Sequence, residues 1–111
     1  MTGISTLNTW DETSTRRVLR ISLKIPLRDT ETLDSYVRLV QKHGGIEDIY
    51  KNRNDRARDL IEYLYRFTGN DTIASRRHKL ADRWNVNLGR VKEIEKFALG
   101  WLKRRVKALP D

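Results

Sequence analysis

The sequence predicts a mainly α-helical protein with one N-terminal β-strand, followed by a helical bundle that ends in two helices joined by a tight turn. Three observations support this fold class. Residues 17–27 alternate between apolar and polar side chains, most of the remaining chain has apolar residues at helical spacing, and a turn-and-cap pattern surrounds Asn85. A chain of 111 residues is long enough for one small domain with an appendage.

The composition excludes several classes of protein. An apolar content of 38% with 34% charged residues allows a modest core, and no apolar run approaches the roughly 20 residues of a membrane span. The first residues lack the basic start and apolar stretch of a signal peptide, so we expect a cytoplasmic, nucleoid-associated protein. Without cysteine there is no disulfide framework, and His43 and His78 have no partner at metal-ligand spacing. We expect no enzymatic activity, no cofactor and no metal.

The N-terminal part is expected to contain a flexible arm, residues 1–15, and a strand. The arm is rich in Ser, Thr and Asn and has no period. In Arg17–Leu27 the apolar face would hold Leu19, Ile21, Leu23, Ile25 and Leu27, and the polar face Arg20, Ser22, Lys24 and Pro26. A single strand cannot satisfy its own backbone groups, so we expect it to pair with the same strand of a second subunit in a homodimer.

The middle of the chain predicts three helical segments. Asp29 is the expected N-cap of a helix that runs to Lys42 and stops at Gly44-Gly45. A short helical turn follows over residues 46–50. The next helix, Asp55–Phe67, would be capped by Asn54 and ended by Gly69-Asn70.

The C-terminal part predicts a helix, a turn and a longer helix. Asp71 or Thr72 begins a basic helix that reaches Trp84, and Asn85 suits the left-handed backbone of a tight turn. Asn87 then caps the second helix. Apolar residues occupy the offsets that two steeply crossing helices need, with a small residue at their closest approach: Leu80, Trp84, Val86, Val91, Ile94 and the small Ala81. This is the pattern of a helix-turn-helix, and it divides the chain into the arm 1–15, an oligomerisation part 16–54 and a DNA-binding domain 55–111.

Charge is concentrated in this C-terminal part. Residues 72–107 contain eleven Lys or Arg against three acidic residues, which accounts for the whole net charge of +8. Such clustering indicates a surface that neutralises phosphates. Arg90 is the first choice for a base contact, because arginine bonds guanine in a bidentate way, and Asn87 can bind adenine or a phosphate. The remaining candidates on the second helix are Leu88 at its start and Lys96 one turn beyond Lys92. The expected phosphate contacts are Lys92, Arg76, Arg77, Lys79 and Arg83.

Residues 86–102, VNLGRVKEIEKFALGWL, resemble the promoter-binding helix-turn-helix in the C-terminal domain of bacterial sigma factors. The likeness rests on Val86, Arg90, Val91, the Ile94-Glu95 pair, Ala98-Leu99 and Leu102, and it extends to a preceding helix at residues 60–67. It implies major-groove binding of duplex DNA and a contact with RNA polymerase. Where the family generally has charged residues early in the recognition helix, this chain has Leu88 and Gly89.

The first half is similar to a second family, the ribbon-helix-helix repressors. Their strand pairs between subunits and places alternate polar residues in the major groove, and Arg20, Ser22 and Lys24 fall on those positions. The similarity implies a dimer with a second DNA-binding element. Both resemblances use the helix at residues 55–67.

From the sequence we expect a sequence-specific transcriptional regulator that binds double-stranded DNA with helix 88–105. Two alternatives are a phage or plasmid DNA-packaging or partition adaptor, similar to a small terminase subunit, and a sigma-like protein that binds RNA polymerase. A basic C-terminal helix on an anionic membrane surface is a weaker interpretation, and no membrane partner is expected.

Overall fold

Six helices make up the part of the chain that the computed structural model describes, residues 10–53, 55–66 and 70–111. They are α1 (Glu12–Ser22), α2 (Thr30–Lys42), α3 (Ile46–Tyr50), α4 (Arg56–Tyr65), α5 (Ile73–Trp84) and α6 (Leu88–Lys107). Across these described residues there is no strand, so the mainly helical class is correct and the predicted N-terminal strand is wrong. None of the helices in these ranges is long and apolar enough to cross a membrane.

The segment predicted as a strand forms α1 and the turn after it. Asp11 caps the helix by accepting a hydrogen bond from the backbone N–H of Ser14 at 2.7 Å. The buried residues of α1 recur at helical spacing: Ser14, Thr15, Val18, Leu19 and Ser22. Three of these five are small and polar, so the buried face does not stand out in an apolar pattern. A helix also satisfies its backbone groups internally, which removes the need for a partner strand.

The apparent alternation combines a helix end with a turn. Lys24 takes a left-handed conformation with φ of 56°, and the backbone N–H of Ile25 donates to Arg20 O at 3.0 Å. This turn buries Leu23 and Ile25, whereas Leu27 is 77% exposed. The ribbon-helix-helix similarity loses its defining element here, and the argument for a strand-paired dimer loses its basis.

Residues 10–15, expected in the arm, also belong to the folded part. Trp10 is buried, and its backbone N–H donates to the Glu47 carboxylate at 2.8 Å. Residues 1–9 lie outside the described residues.

The predicted helices in the middle of the chain are present. Asp29 caps α2 by accepting from Thr32 N at 3.0 Å, and α2 ends before Gly44 and Gly45, whose φ angles of 98° and 90° suit glycine. Helix α4 begins at Arg56 and is capped by Asp55, while the expected cap Asn54 lies outside the described residues. The expected final residue Phe67 and the Gly69 stop lie outside them as well.

Helix α6 runs through the centre of the bundle. Its buried side includes Val91, Ala98, Leu102 and Val106. It packs against α1, α3, α4 and α5, so the N-terminal and C-terminal parts share one core. The core therefore holds the end of α1 and the α5–α6 pair in a fixed relation.

Candidate nucleic-acid interface

The turn between α5 and α6 has the backbone that the sequence predicts. Asn85 is left-handed, with φ of 55° and ψ of 49°, and the N–H of Val86 donates to Ala81 O at 3.0 Å. Asn87 caps α6 by accepting from Arg90 N at 2.7 Å. Both predictions are confirmed for the local structure. The cap uses the Asn87 side-chain oxygen, and the side-chain amide N–H groups point away from that bond as potential donors.

The residues predicted to pack the two helices together do so. Leu80, Ala81 and Val91 are buried, and three others are half-buried against the core: Trp84, Val86 and Ile94. Helices α5 and α6, joined by this tight turn, thus pack against each other through their inner sides, and we call the pair the helix-turn-helix.

A polar network inside the bundle holds α4, α5 and α6 together. Glu95 is buried on α6 and receives two hydrogen bonds from Arg77, at 2.6 and 3.0 Å, and one from the Tyr65 hydroxyl. The hydrogen bond with Glu95 raises the pKa of Arg77. Burial, and then the same carboxylate, raise the pKa of the Tyr65 hydroxyl, so tyrosine stays neutral and donates. Arg77, a predicted phosphate contact, thus has an internal partner. The sequence signal for this role is the position of Glu95, four residues after Val91 on the apolar side of α6.

The other cations predicted on α5 also have partners within the protein. Arg76 donates to Tyr63 O at 3.0 Å and lies 3.5 Å from Asp71. Lys79 pairs with Asp71 at 3.0 Å, and the Arg83 guanidinium lies 4.7 Å from the centre of the Tyr63 ring. Each predicted cation of α5 therefore has an acidic or aromatic neighbour within the protein, although the Lys79–Asp71 pair is accessible to water and screened by it.

The cations of α6 are placed differently. Lys92 and Lys96 are exposed and have no ion-pair partner among residues 10–53, 55–66 and 70–111. Arg90 is exposed and lies 3.7 Å from Glu93, which is itself 71% exposed, so water screens this pair strongly. Leu88 is half-buried, which leaves little of it for a base contact.

Ser22, the last residue of α1, and Lys24, in the turn that follows, lie beside this basic part of α6. Ser22 is buried and donates to Leu99 O at 2.9 Å, which attaches α1 to α6. Lys24 is exposed, and it lines an open groove of about 830 Å³ together with Lys92 and Lys96. Arg20, which the sequence places with Ser22 and Lys24 as a predicted DNA contact, is half-buried and is not part of the groove wall. We call this space the α1–α6 groove.

Two further cations and one aromatic ring complete the groove. Lys103 and Arg104, about two turns beyond Lys96 along α6, also line it, and Phe97 contributes a 55% exposed ring. The run Lys103-Arg104-Arg105-Lys107 was visible in the sequence, but its orientation depends on which side of α6 is buried.

The histidines and acidic residues form no metal site in the described ranges, where no group of three or more His, Cys, Asp or Glu is arranged to hold an ion. His43 lies 2.7 Å from Pro110 O through Nε2, and Lys42 donates to Asp111 O at 2.9 Å. These contacts attach the C-terminal residues to the end of α2.

Comparisons of the chain with protein-family models, with curated proteins and with solved structures gave no match.

Proposed function

We propose that this protein is a transcriptional regulator that binds double-stranded DNA and inserts the first half of α6 into the major groove. The observation that carries the proposal is the distribution of unpaired charge over the helix-turn-helix. The cations of α5 contact acidic or aromatic neighbours, whereas Lys92 and Lys96 on α6 are exposed without an ion-pair partner in the described part of the chain. Cations that face solvent can neutralise phosphates with little loss of internal contacts.

The geometry of α6 supports this role. Its N-cap Asn87 and the first-turn residues Gly89 and Arg90 are exposed, because the helix enters the core only at Val91. An exposed helix start is the part that helix-turn-helix proteins place against base edges. Arg90 and the Asn87 amide are the side chains there that can bond to bases, and Lys92 is suited to a phosphate. The resemblance to the promoter-binding domain of sigma factors favours the same orientation.

The proposal is tested by selection of genomic fragments with the full chain, followed by footprinting and a mass measurement in solution. A regulator of this kind protects a short site, and a two-fold dimer would protect half-sites about one helical turn, ~10 bp, apart. Equal affinity for all selected and unselected duplexes would contradict sequence-specific regulation. Larger rings in solution would instead favour a packaging adaptor.

A second candidate function is binding to RNA polymerase. Leu27 and Phe97 are large apolar side chains that are exposed, at 77% and 55%, and such residues often contact a protein partner. Retention of the chain by purified RNA polymerase in the absence of DNA, lost in Phe97→Ala, would support this function over the first.

A further inference from the structure

The α1–α6 groove has a charge pattern that the helix-turn-helix alone does not explain. Six cations line it, and five of them have no ion-pair partner among the described residues: Lys24, Lys92, Lys96, Lys103 and Arg104. The acidic residues in its wall, Glu93 and Glu95, lie beside Arg90 and Arg77 respectively. The groove is therefore strongly positive, and we call the five cations the basic track.

Three members of the track lie on one side of α6. At 3.6 residues per turn, Lys92, Lys96 and Lys103 fall within about 40° of one another around the helix axis. The same geometry separates Lys92 from Lys103 by about 16 Å, a length over which one DNA strand presents several phosphates. This spacing suits a nucleic acid backbone better than a single small anion.

Lys24 joins the track from a different part of the chain. The hydrogen bond from Ser22 to Leu99 O places the end of α1 on the side of α6 between Lys96 and Lys103. Leu23 and Ile25 are buried on either side of Lys24, so the turn is anchored while the lysine side chain is exposed.

The backbone of Lys24 provides a second, independent observation. Its φ of 56° is in the left-handed region, where a lysine is strained and glycine or asparagine is favoured. The Lys24 side chain makes no ion pair in the described part of the structure, so no such contact offsets the backbone strain. Strain of this kind is typical of residues whose side chain has a role in binding.

We propose that the turn after α1 is part of the DNA interface, and that Lys24 binds a backbone phosphate of duplex DNA beside the segment contacted by α6. The proposal rests on the proposed function. The DNA-contacting surface would then extend from the helix-turn-helix to the turn after α1. The role of Lys24 there would be to position the protein on the DNA backbone. The core that α1 shares with α6 would hold Lys24 and Lys96 in fixed register on the same strand.

The test uses the full chain and a labelled duplex of roughly two helical turns (~20 bp) taken from a selected site. Binding is measured by fluorescence anisotropy between ~50 and ~200 mM salt, for wild type, Lys24→Asn and Lys24→Arg. Asparagine tolerates the left-handed backbone, so Lys24→Asn removes the charge without altering the turn. We expect the salt slope of Lys24→Asn to fall by about 0.9 and its affinity at ~0.1 M salt to fall roughly fivefold to tenfold, with Lys24→Arg close to wild type.

The matched control is Lys51→Asn. Lys51 is an exposed lysine at the end of α3, 3.5 Å from Asp48 and outside the groove wall. The Lys51→Asn substitution therefore removes one positive charge at a site away from the groove. An unchanged slope for this variant would show that the effect of Lys24 is local. Equal slopes for Lys24→Asn and Lys51→Asn would overturn the inference.

The outcomes separate the inference from the proposed function. A normal slope in Lys24→Asn, with a reduced slope in Lys92→Ala, would overturn the inference and leave DNA binding by α6 intact. Absence of duplex binding by the wild type would overturn both. Tighter binding of the corresponding single strand, weakened by Phe97→Ala, would overturn the duplex assignment in favour of base stacking on the exposed ring.

Discussion

The guanidinium of Arg77 donates two hydrogen bonds to the buried carboxylate of Glu95, at 2.6 and 3.0 Å, and thereby joins α5 to α6. The Tyr65 hydroxyl donates to the same carboxylate from α4. One acidic side chain thus sets the relative position of three helices, including the two of the helix-turn-helix. Because the pair is bidentate, it restricts rotation of α5 about α6 as well as separation.

Loss of this carboxylate is expected to destabilise the whole fold. In Glu95→Ala the charge of Arg77 and the hydroxyl of Tyr65 lose their partner, and we expect a loss of roughly 2–4 kcal/mol in the free energy of unfolding. Arg77 is partly accessible to water, which keeps the loss below that of a fully buried pair. Urea unfolding measures it, with Glu93→Ala as the control on the same helix. Glu93 is exposed and 3.7 Å from Arg90, so its removal is expected to cost less than about 0.5 kcal/mol.

The neutral state of Tyr65 predicts a loss of stability in alkaline solution. Burial and the Glu95 carboxylate raise the pKa of Tyr65 above the value near 10 of an unfolded tyrosine. The native state therefore keeps a proton that the unfolded state releases, so this contribution is present in full below about pH 10 and is lost as the pH rises further. Burial raises the pKa of Tyr50 in the same direction. Urea midpoints between ~pH 8 and ~pH 11 should fall above ~pH 10, and less steeply in Tyr65→Phe. An identical decline in the variant would contradict the assignment.

Sequence patterns predicted the elements whose signals are local. The caps at Asp29 and Asn87 and the left-handed Asn85 depend on bonds within a few residues, and all three are present. Helix α1 was missed because its buried face includes Ser14, Thr15 and Ser22, so the apolar residues that remain alternate by coincidence. Hydropathy does not reveal small polar residues that pack in a helix interface.

The candidate site was predictable in its composition and only partly in its arrangement. Residues 72–107 are recognisable as basic from the sequence, but two of the partners that contact α5 cations, Glu95 and Tyr63, lie on other helices. Glu95 is 18 residues from Arg77, and Tyr63 is 13 residues from Arg76. Tertiary packing decides which cations face solvent. Lys24 was predicted for a strand that does not exist, and lies beside α6 for a different reason, the Ser22 contact with Leu99.

The left-handed turn at Lys24 predicts a stabilising substitution. Glycine adopts a φ of 56° without the contact between Cβ and the carbonyl that strains lysine, so Lys24→Gly is expected to raise the free energy of unfolding by about 0.5–1 kcal/mol. Thermal and urea unfolding measure the change. Arg28→Gly is the control in the same connection, where no positive φ occurs and glycine should destabilise or have no effect. A destabilised Lys24→Gly would show that the side chain supports the turn.

Lys92 on α6 has no ion-pair partner in the described ranges and Lys79 on α5 has one, so we expect their substitutions to change the salt dependence of DNA binding differently. Lys92 is exposed and unpaired within the described ranges, so Lys92→Ala should weaken binding to every duplex and reduce the salt slope by about 0.9. Lys79 is paired with Asp71 at 3.0 Å, and Lys79→Ala should leave the slope nearly unchanged. Both variants remove one positive charge, so the comparison cancels the effect of net charge. Equal slopes would indicate that α5 contacts the DNA backbone as strongly as α6.

Arg90 is the residue on which sequence preference is expected to depend. Its side chain lies on the exposed first turn of α6, and the weak pair with Glu93 leaves the guanidinium available for a base. Arg90→Ala should cost roughly 1–3 kcal/mol at the selected site and much less on unrelated duplexes, because a bidentate bond to guanine discriminates between bases whereas a phosphate contact does not. Arg90→Lys separates charge from geometry: lysine keeps the charge but lacks the planar pair of donors, so it should restore general affinity more than preference. If both variants kept the wild-type ratio of selected to unrelated affinity, base recognition would have to come from another residue of α6, with the Asn87 amide as the nearest donor.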